Sequence, residues 1–253
     1  PQGVDNDYAG TYWQKKGLLS EADLERIHAK ALCEGGLWLE KVGVDSLANR
    51  SVLDFGCGSG AFLDIVKGMA SETIGIERDP VLSSFASSRG HQIYASVDDA
   101  LEKGVKTDFI VSFDVVEHLV DPIGTLRSFA PLMAAEGALF IGVPNQRDVI
   151  KDLVPDYLPH FYHVEHLWYF DENSLRYLFE KSDYCTERVG FLHKYNFMNI
   201  VEWARTGKAP GTPHSQFIDR DLDQRFCGWL EDRGVASHLF AKVSLNSVGS
   251  TKT

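Results

Sequence analysis

Long apolar runs are missing from this 253-residue chain, and no stretch approaches the roughly 20 residues that a membrane-spanning helix needs. Membrane insertion is therefore not expected. Pro1-Gln2-Gly3-Val4-Asp5 has neither the basic start nor the apolar core of a secretion signal, and Pro1 stands where an initiator Met would, so the chain reads as trimmed. Cysteine is sparse: Cys33, Cys57, Cys185 and Cys227 lie far apart with no Cys-x-x-Cys pair. That spacing excludes a disulfide frame or a zinc finger and suits reduced thiols in the cytoplasm. Positive charge is also short, with 25 Lys and Arg against 36 Asp and Glu and a net charge of -11. With no Lys/Arg cluster to form a basic groove, nucleic acid is excluded as the expected partner. Internal repeats and low-complexity segments are absent.

What is present is ordinary globular composition, 44% hydrophobic and 24% charged, enough for one α/β domain with an added cap. Residues 20–34 have helical spacing in Leu24, Ile27 and Ala31, a Ser20 cap, and a predicted end at Gly35-Gly36. From residue 51 strands and helices alternate. Strands are expected at Ser51–Phe55, Thr73–Glu77, His91–Ala95, Asp108–Phe113 and Ala138–Val143, and helices after Gly60, at Pro80–Ser88, at Asp98–Lys103 and at Pro122–Met133. Such alternation predicts a Rossmann-like, doubly wound α/β sheet, mostly parallel, with ligands at the carboxyl ends of its strands. Residues 145–170 read as a long loop rich in aromatics and histidines. A helix with Leu175, Leu178 and Phe179, a strand at Tyr184–Leu192 and an antiparallel closing strand at Ala236–Val243 follow. The expected organisation is an N-terminal helical lid (1–48), a ligand-binding core (49–192), an acceptor-binding cap (145–170 and 193–233) and the closing strand of the core (234–246).

The most informative stretch is Val52-Leu53-Asp54-Phe55-Gly56-Cys57-Gly58-Ser59-Gly60. A strand that runs into three glycines and then a helix lets backbone approach a ligand at a helix N-terminus. A dinucleotide site normally has G-x-G-x-x-G, whereas the spacing here is G-x-G-x-G. Asp54, two residues before the first glycine, would repel a pyrophosphate but suits an ammonium and a sulfonium. Charge thus favours S-adenosylmethionine over NAD. Glu77, about twenty residues on at the end of the next strand, is placed to accept hydrogen bonds from ribose hydroxyls.

These residues resemble a known family. Val52–Gly60 is similar to the first motif of the class I S-adenosylmethionine-dependent methyltransferases, and Ile74-Gly75-Ile76-Glu77 to their ribose-binding motif. Phe109–Pro122, Gly137–Asn145 and His166–Phe179 resemble the branch that includes the ubiquinone-biosynthesis O-methyltransferases. More weakly, Asn196–Gly211 and Val235–Val243 resemble methyltransferases found with surface-polysaccharide and sugar-modification enzymes. The resemblance implies that Asp54 holds the methionine ammonium, that Gly56, Cys57 and Gly58 line the methionine and ribose, and that Glu77 binds the ribose. Arg78, Val97 and Asp98 would lie by the adenine and Phe113 by the methionyl end. Tyr8, Tyr12 and Trp13 are either a lid over the donor or packing aromatics.

Methyl transfer is a displacement at an activated sulfonium, so alignment does much of the work, and a hydroxyl acceptor must also lose its proton. Two constellations at the carboxyl end of the fourth strand suit this. In the first, which the resemblance implies, Asp114, Glu117, His118 and His166 bind Mg²⁺ or Mn²⁺ that contacts the acceptor. In the second, one of His118, His160, His163 and His166 is a general base oriented by Glu117 or Glu165. The cap aromatics Phe161, Tyr162, Tyr169, Tyr195, Phe197 and Trp203 suit either a sugar or base face or a hydrophobic seam. Arg147, Lys151, Lys194, Arg205 and Lys208 are scattered cations. The expected reaction is O-methylation of a small sugar- or phosphate-bearing acceptor, with S-adenosylhomocysteine as co-product. N- or C-methylation, an NAD-dependent oxidoreductase and a non-catalytic binding protein are the alternatives.

Overall fold

Ser20 caps a helix as expected: its hydroxyl accepts from the Asp23 N–H, and α1 runs Glu21–Val42. The computed structural model describes residues 20–162, 164–208 and 220–246. Tyr8, Tyr12, Trp13 and His163 therefore lie outside the described residues. Contrary to the sequence expectation, α1 passes straight through Gly35-Gly36. Gly35 is buried against the short helix Ala61–Val66, where a Cβ would come within 2.7 Å of Ile65, so this glycine serves helix packing and not termination. Gly43, at φ 87°, ends the helix instead, and its N–H reaches Leu39 O at 2.8 Å. A short α2, Val44–Leu47, leads into the sheet.

Strands β1 (Ser51–Phe55), β2 (Glu72–Ile76), β3 (Gln92–Tyr94), β4 (Thr107–Phe113), β5 (Met133–Pro144), β6 (Tyr184–Leu192) and β7 (His238–Leu245) form one sheet in the order β3-β2-β1-β4-β5-β7-β6. β1 to β5 pair in parallel, and β7 lies antiparallel between β5 and β6. The helices α3 (Ala61–Val66), α4 (Pro80–Ser88), α5 (Val97–Glu102), α6 (Pro122–Ser128) and α9 (Glu172–Lys181) connect the strands. This is the doubly wound fold expected, with the order reversing between β1 and β4. The crevice above that reversal is where such sheets bind ligands.

Side chains alternate across the sheet and so divide two cores. Leu53, Ile74 and Ile110 pack on one face with α6 and α9, while Val52, Phe109 and Val111 pack on the other with Trp38 and Phe62 from α1 and α3. The helix predicted for 122–133 stops at Ser128. Pro131 follows in a 3-10 turn, and Met133 already pairs with Thr107 in β5.

The predicted loop 145–170 contains two short helices, α7 (Ile150–Leu153) and α8 (Leu158–Phe161). With α10 (Phe197–Thr206) they enclose a third core of Ile150, Val154, Tyr157, Phe161, Ile200 and Trp203. α11 (Arg220–Asp232) packs beside β6 and is tied to α1 by Lys41 and Glu231 at 2.6 Å. No helix among the described residues is long and apolar enough to cross a membrane.

Candidate active site

Gly56, Gly58 and Gly60 all take positive φ (78°, 54° and 75°), the left-handed region that glycine enters at least cost. At Gly56 a Cβ would also meet Val115 at 2.5 Å, so the turn is compressed against the chain leaving β4. The N–H groups of Gly56 and Cys57 both reach Ile76 O, at 2.8 and 3.2 Å, which stitches the end of β1 to the end of β2. Glu77 closes the arrangement. One carboxylate oxygen accepts from the Gly58 N–H at 2.8 Å and the other from the Asp79 N–H at 2.8 Å. Asp54 is buried beneath the turn, and burial together with nearby Glu77 pushes its carboxyl up to about 8. Burial also raises Glu77, partly offset by those two backbone donors. The Cys57 thiol is pushed well above its ordinary value by burial and by both acids.

Two cavities open over this turn. One of about 900 Å³ is lined by Glu77, Arg78, Val97, Asp98 and His118. The other, of about 560 Å³, is lined by Asp54, Cys57, Phe113 and a face of α1 carrying Arg26, Lys30, Glu34 and Trp38. Gly56, Gly58, Leu82 and Asp114 belong to both. All nine residues expected to bind the donor therefore line one or other of these two adjoining cavities. The geometry adds Trp38, which no motif in the sequence singles out. It stacks on Phe113 with ring centroids 4.8 Å apart and planes 9° apart.

Beyond β4, Glu117, His118 and His166 converge. One ligand atom from each lies within 4.8 Å of the other two. The His118 Nδ1 lies 2.7 Å from Glu165 O, so Nδ1–H donates and Nε2 carries the ring's lone pair. The loop is fastened there because the Leu167 and Trp168 N–H groups both donate to Glu117 O. The Glu117 carboxylate is fully buried, and neither oxygen has a hydrogen-bond partner among the described residues; His166 Nε2 stands 3.9 Å away. Burial, then the nearby Asp114, hold its carboxyl well above the usual range.

Asp114 does not join that group, which corrects its expected place among the metal ligands. It sits at φ 57°, and its side chain turns toward β6 and β7. There Oδ2 pairs with Lys194 and Oδ1 lies 3.3 Å from His238 Nε2. Against the cost of burial, these two partners hold its carboxyl well below the usual carboxylate range. His238 was not anticipated. Its only signal is that an antiparallel closing strand must begin at the edge where the parallel strands end.

The cap aromatics divide. Phe161 and Trp203 are buried in the third core, with Tyr195 and Tyr169 packed against it, which is the hydrophobic-seam alternative. His160 belongs to the same seam, 3.2 Å from the Tyr195 hydroxyl. Phe197 packs edge-on against Phe226, and Tyr162 is exposed.

Residues 26–188 match the family described as a methyltransferase domain. The chain is 28% identical over 100 residues to the "Probable S-adenosylmethionine-dependent methyltransferase" of Mycobacterium tuberculosis, covering 38% of this chain and 36% of that one. It is 22% identical over 165 residues to the ubiquinone biosynthesis O-methyltransferase of Bradyrhizobium diazoefficiens, covering 59% and 64%. The matched stretches thus span only about a third to two thirds of these relatives' own lengths. Among solved structures, a SAM-dependent methyltransferase from Archaeoglobus fulgidus superposes with a TM-score of 0.54 at 17% identity, over 87% of this chain and 93% of that one. The plantazolicin methyltransferase BpumL, solved with S-adenosylhomocysteine, gives 0.55 at 17% identity over 92% of each chain.

Proposed function

This chain belongs to the S-adenosylmethionine-dependent methyltransferases, and we propose that it methylates an oxygen of a small, hydroxyl-bearing acceptor. The observation that carries the oxygen assignment is the placement of His118. It lines the same cavity as Glu77 and Asp98, and the Nδ1–H bond to Glu165 O sets the tautomer in which Nε2 is the basic nitrogen. The ubiquinone biosynthesis O-methyltransferases among the relatives support the same assignment. A sugar or a phosphorylated metabolite is the acceptor class that the C-terminal resemblance implies.

In this reading Glu77 accepts from the ribose hydroxyls, Asp54 faces the ammonium, and Arg78, Val97 and Asp98 surround the adenine. Gly56, Cys57 and Gly58 present backbone to the amino-acid arm, which Phe113 flanks. The described residues of the 145–170 and 193–233 segments are taken as the acceptor-binding cap. His118 takes the acceptor's proton as the new bond forms, and Glu117 and His166 fix its surroundings. Most of the acceleration comes from holding the acceptor oxygen in line with the methyl group.

A second reading rests on the Glu117 carboxylate. A buried carboxyl with no hydrogen-bond partner among the described residues, within 4.8 Å of two imidazoles, fits a divalent cation such as Mg²⁺ or Mn²⁺. Glu117, His118 and His166 would hold it. When bound, the ion supplies positive charge that lowers the pKa of an acceptor hydroxyl.

One experiment separates these readings: calorimetric titration of Mn²⁺ and Mg²⁺ into protein saturated with S-adenosylhomocysteine, for wild type, Glu117→Ala and His166→Ala. Stoichiometric binding lost in both variants establishes the metal reading. If none of the three binds metal, the test is His118→Ala, assayed for labelled methyl transfer to a panel of sugars and sugar phosphates. It should lose turnover and keep its affinity for S-adenosylhomocysteine; full turnover in the variant overturns the base assignment.

A further inference from the structure

Ser59 stands between Gly58 and Gly60, both at positive φ, and is itself buried. Gly60 caps α3, so its carbonyl takes the first helical bond, from the Asp64 N–H at 2.9 Å. The Ser59 carbonyl precedes that ladder, and helix formation gives it no partner. His28 of α1 meets it instead. The ring's Nδ1 lies 3.2 Å from Ser59 O and 3.1 Å from Ser59 Oγ. With a proton on Nδ1 the ring donates to the carbonyl, and without one it accepts from the hydroxyl. Either way, a residue of the glycine turn is tied to a helix that lies 31 positions earlier in the chain.

That tie is braced from behind. The His28 side chain is 2% exposed, with the Phe85 ring of α4 edge-on at 5.5 Å. Its Nε2 stands 3.1 Å from Asp64 Oδ2. Asp64 in turn accepts from Arg89 Nε at 2.5 Å and lies 2.8 Å from His91 Nε2, while His91 Nδ1 is 2.9 Å from the Thr73 hydroxyl of β2. A Cβ on Gly60 would meet Ala86 at 3.0 Å and His91 at 3.2 Å, so the turn has no room to relax backwards. α1, the glycine turn, α3 and β2 thus meet in one polar network. Among the described residues that line the two cavities, none of His28, Asp64, Arg89 and His91 appears, so this network does not touch the cleft.

What it does touch is both walls of one cavity. The cavity of about 560 Å³ is lined by Gly58 and Ser59 of the turn and by Ile27 and Ala31 of α1, and His28 lies between those two helix residues in sequence. We propose that His28 is a positioning residue for donor binding, whose bond to Ser59 fixes α1 against the glycine turn so that the donor meets both walls already assembled. This rests on the donor lying over that turn, as proposed above. A ligand that needs the assembled form loses apparent affinity in proportion to the fraction of molecules in which the walls have parted. Removing the bond also leaves a buried polar group of Ser59 without its partner, which favours that parting. The Asp64 side of the ring holds the network together but does not reach the turn, so the two contacts of His28 have separable effects.

The test is calorimetric titration of S-adenosylhomocysteine into wild type, His28→Asn, His28→Gln, His28→Ala and Glu77→Ala, with urea unfolding of each. Asparagine carries its amide at the branch where Nδ1 sits and keeps the Ser59 side. Glutamine carries it further out, where Nε2 sits, and keeps the Asp64 side. His28→Asn should therefore bind within about twofold of wild type, and His28→Gln and His28→Ala about tenfold more weakly. A histidine that only supports the fold would lower affinity in step with the urea midpoint, whichever contact is kept. Amide exchange gives a second readout. In His28→Gln, peptides covering 21–34 and 56–64 should exchange faster while those of β4 and β5 keep wild-type rates. The Asn and Gln variants carry the comparison if His28→Ala does not fold. If those two bind alike or in the reverse order, or if exchange rises equally across the sheet, the role is overturned while a tenfold loss in Glu77→Ala leaves the donor placement standing. Should Glu77→Ala bind as wild type does, the donor placement itself is wrong and the role of His28 falls with it.

Discussion

Asp54 shows how much a single side chain can couple to ligand binding. Burial and Glu77 push its carboxyl up to about 8, so in the ligand-free protein the group is mostly neutral at pH 7. A ligand ammonium favours the ionised form, so binding expels a proton, and affinity should rise as pH is raised from 6 to 8 before levelling off. The folding linkage runs the other way. A carboxyl whose folded pKa exceeds its unfolded value of 3.8 contributes most stability below that value and loses it as pH climbs through about 8. Calorimetry with S-adenosylhomocysteine at pH 7, in two buffers of different ionisation enthalpy, should report proton release, and Asp54→Asn should abolish it. Equal apparent enthalpies in both buffers would show that Asp54 is not the ammonium's partner. Glu77→Ala should weaken the same ligand about tenfold or more, because a bidentate acceptor is removed and the Gly58 N–H loses its anchor. Both acids stand out in the sequence because strand-end carboxylates flanking a G-x-G-x-G turn have few purely structural uses, and the structure puts each on a cavity wall at that turn. His238 and Trp38 were not legible. Their places depend on which strand closes the sheet and where α1 lies on it, and neither fact is local.

The periodic elements were largely readable, and the departures have definite causes. Pro80–Ser88 and Tyr184–Leu192 match the expected boundaries, because Asp79 caps the helix and the strand sits between clear turns. Glycine misled at α1. Gly35-Gly36 looks like a stop, yet Gly35 is there to let the helix lie close on α3. The same close packing occurs where α1 crosses β5. A Cβ on Gly142 would meet the Trp38 ring at 2.4, 2.7 and 2.8 Å, and Trp38 is boxed in by Phe113, His238 and Lys194. A rigid indole cannot give way as a flexible chain end does. Gly142→Ala should therefore destabilise the protein by about 1–3 kcal/mol. It should also weaken S-adenosylhomocysteine binding, since Trp38 lines the cavity in which the donor's amino-acid arm is proposed to lie. Urea unfolding and ligand titration of the one variant measure both effects. A stability loss with unchanged affinity would mean that α1 supports the fold but does not shape the cleft.

At the scale of the whole molecule, the sheet and the segment after β5 are joined through buried polar contacts as well as apolar ones. Asn145, at the end of β5, donates from its side chain to Gly234 O and Ala236 O, and the Val149 N–H reaches Val235 O. These bonds fasten the start of the 145–170 segment to the residues that lead into β7. No motif in the sequence announced them, because they pair residues about ninety positions apart. Asp148 lies in the same junction, fully buried, accepting from the Ile150 N–H at 3.0 Å and the Tyr157 hydroxyl at 2.8 Å. Burial outweighs those donors and pushes its carboxyl up to about 6. The folded value again exceeds the unfolded 3.8, so this group's contribution is complete below that value and is lost as pH rises through about 6. Across that window the loss is on the order of 3 kcal/mol, because each tenfold gain in a carboxyl's proton affinity on folding is worth about 1.4 kcal/mol. Asp148→Asn keeps an oxygen for Ile150 and offers an N–H to Tyr157, and it does not ionise. Its urea midpoint should exceed that of wild type at pH 8, and the advantage should shrink steadily toward pH 4. If the two proteins instead lose stability in parallel between pH 4 and 8, ionisation at Asp148 does not govern how firmly the segment after β5 is held.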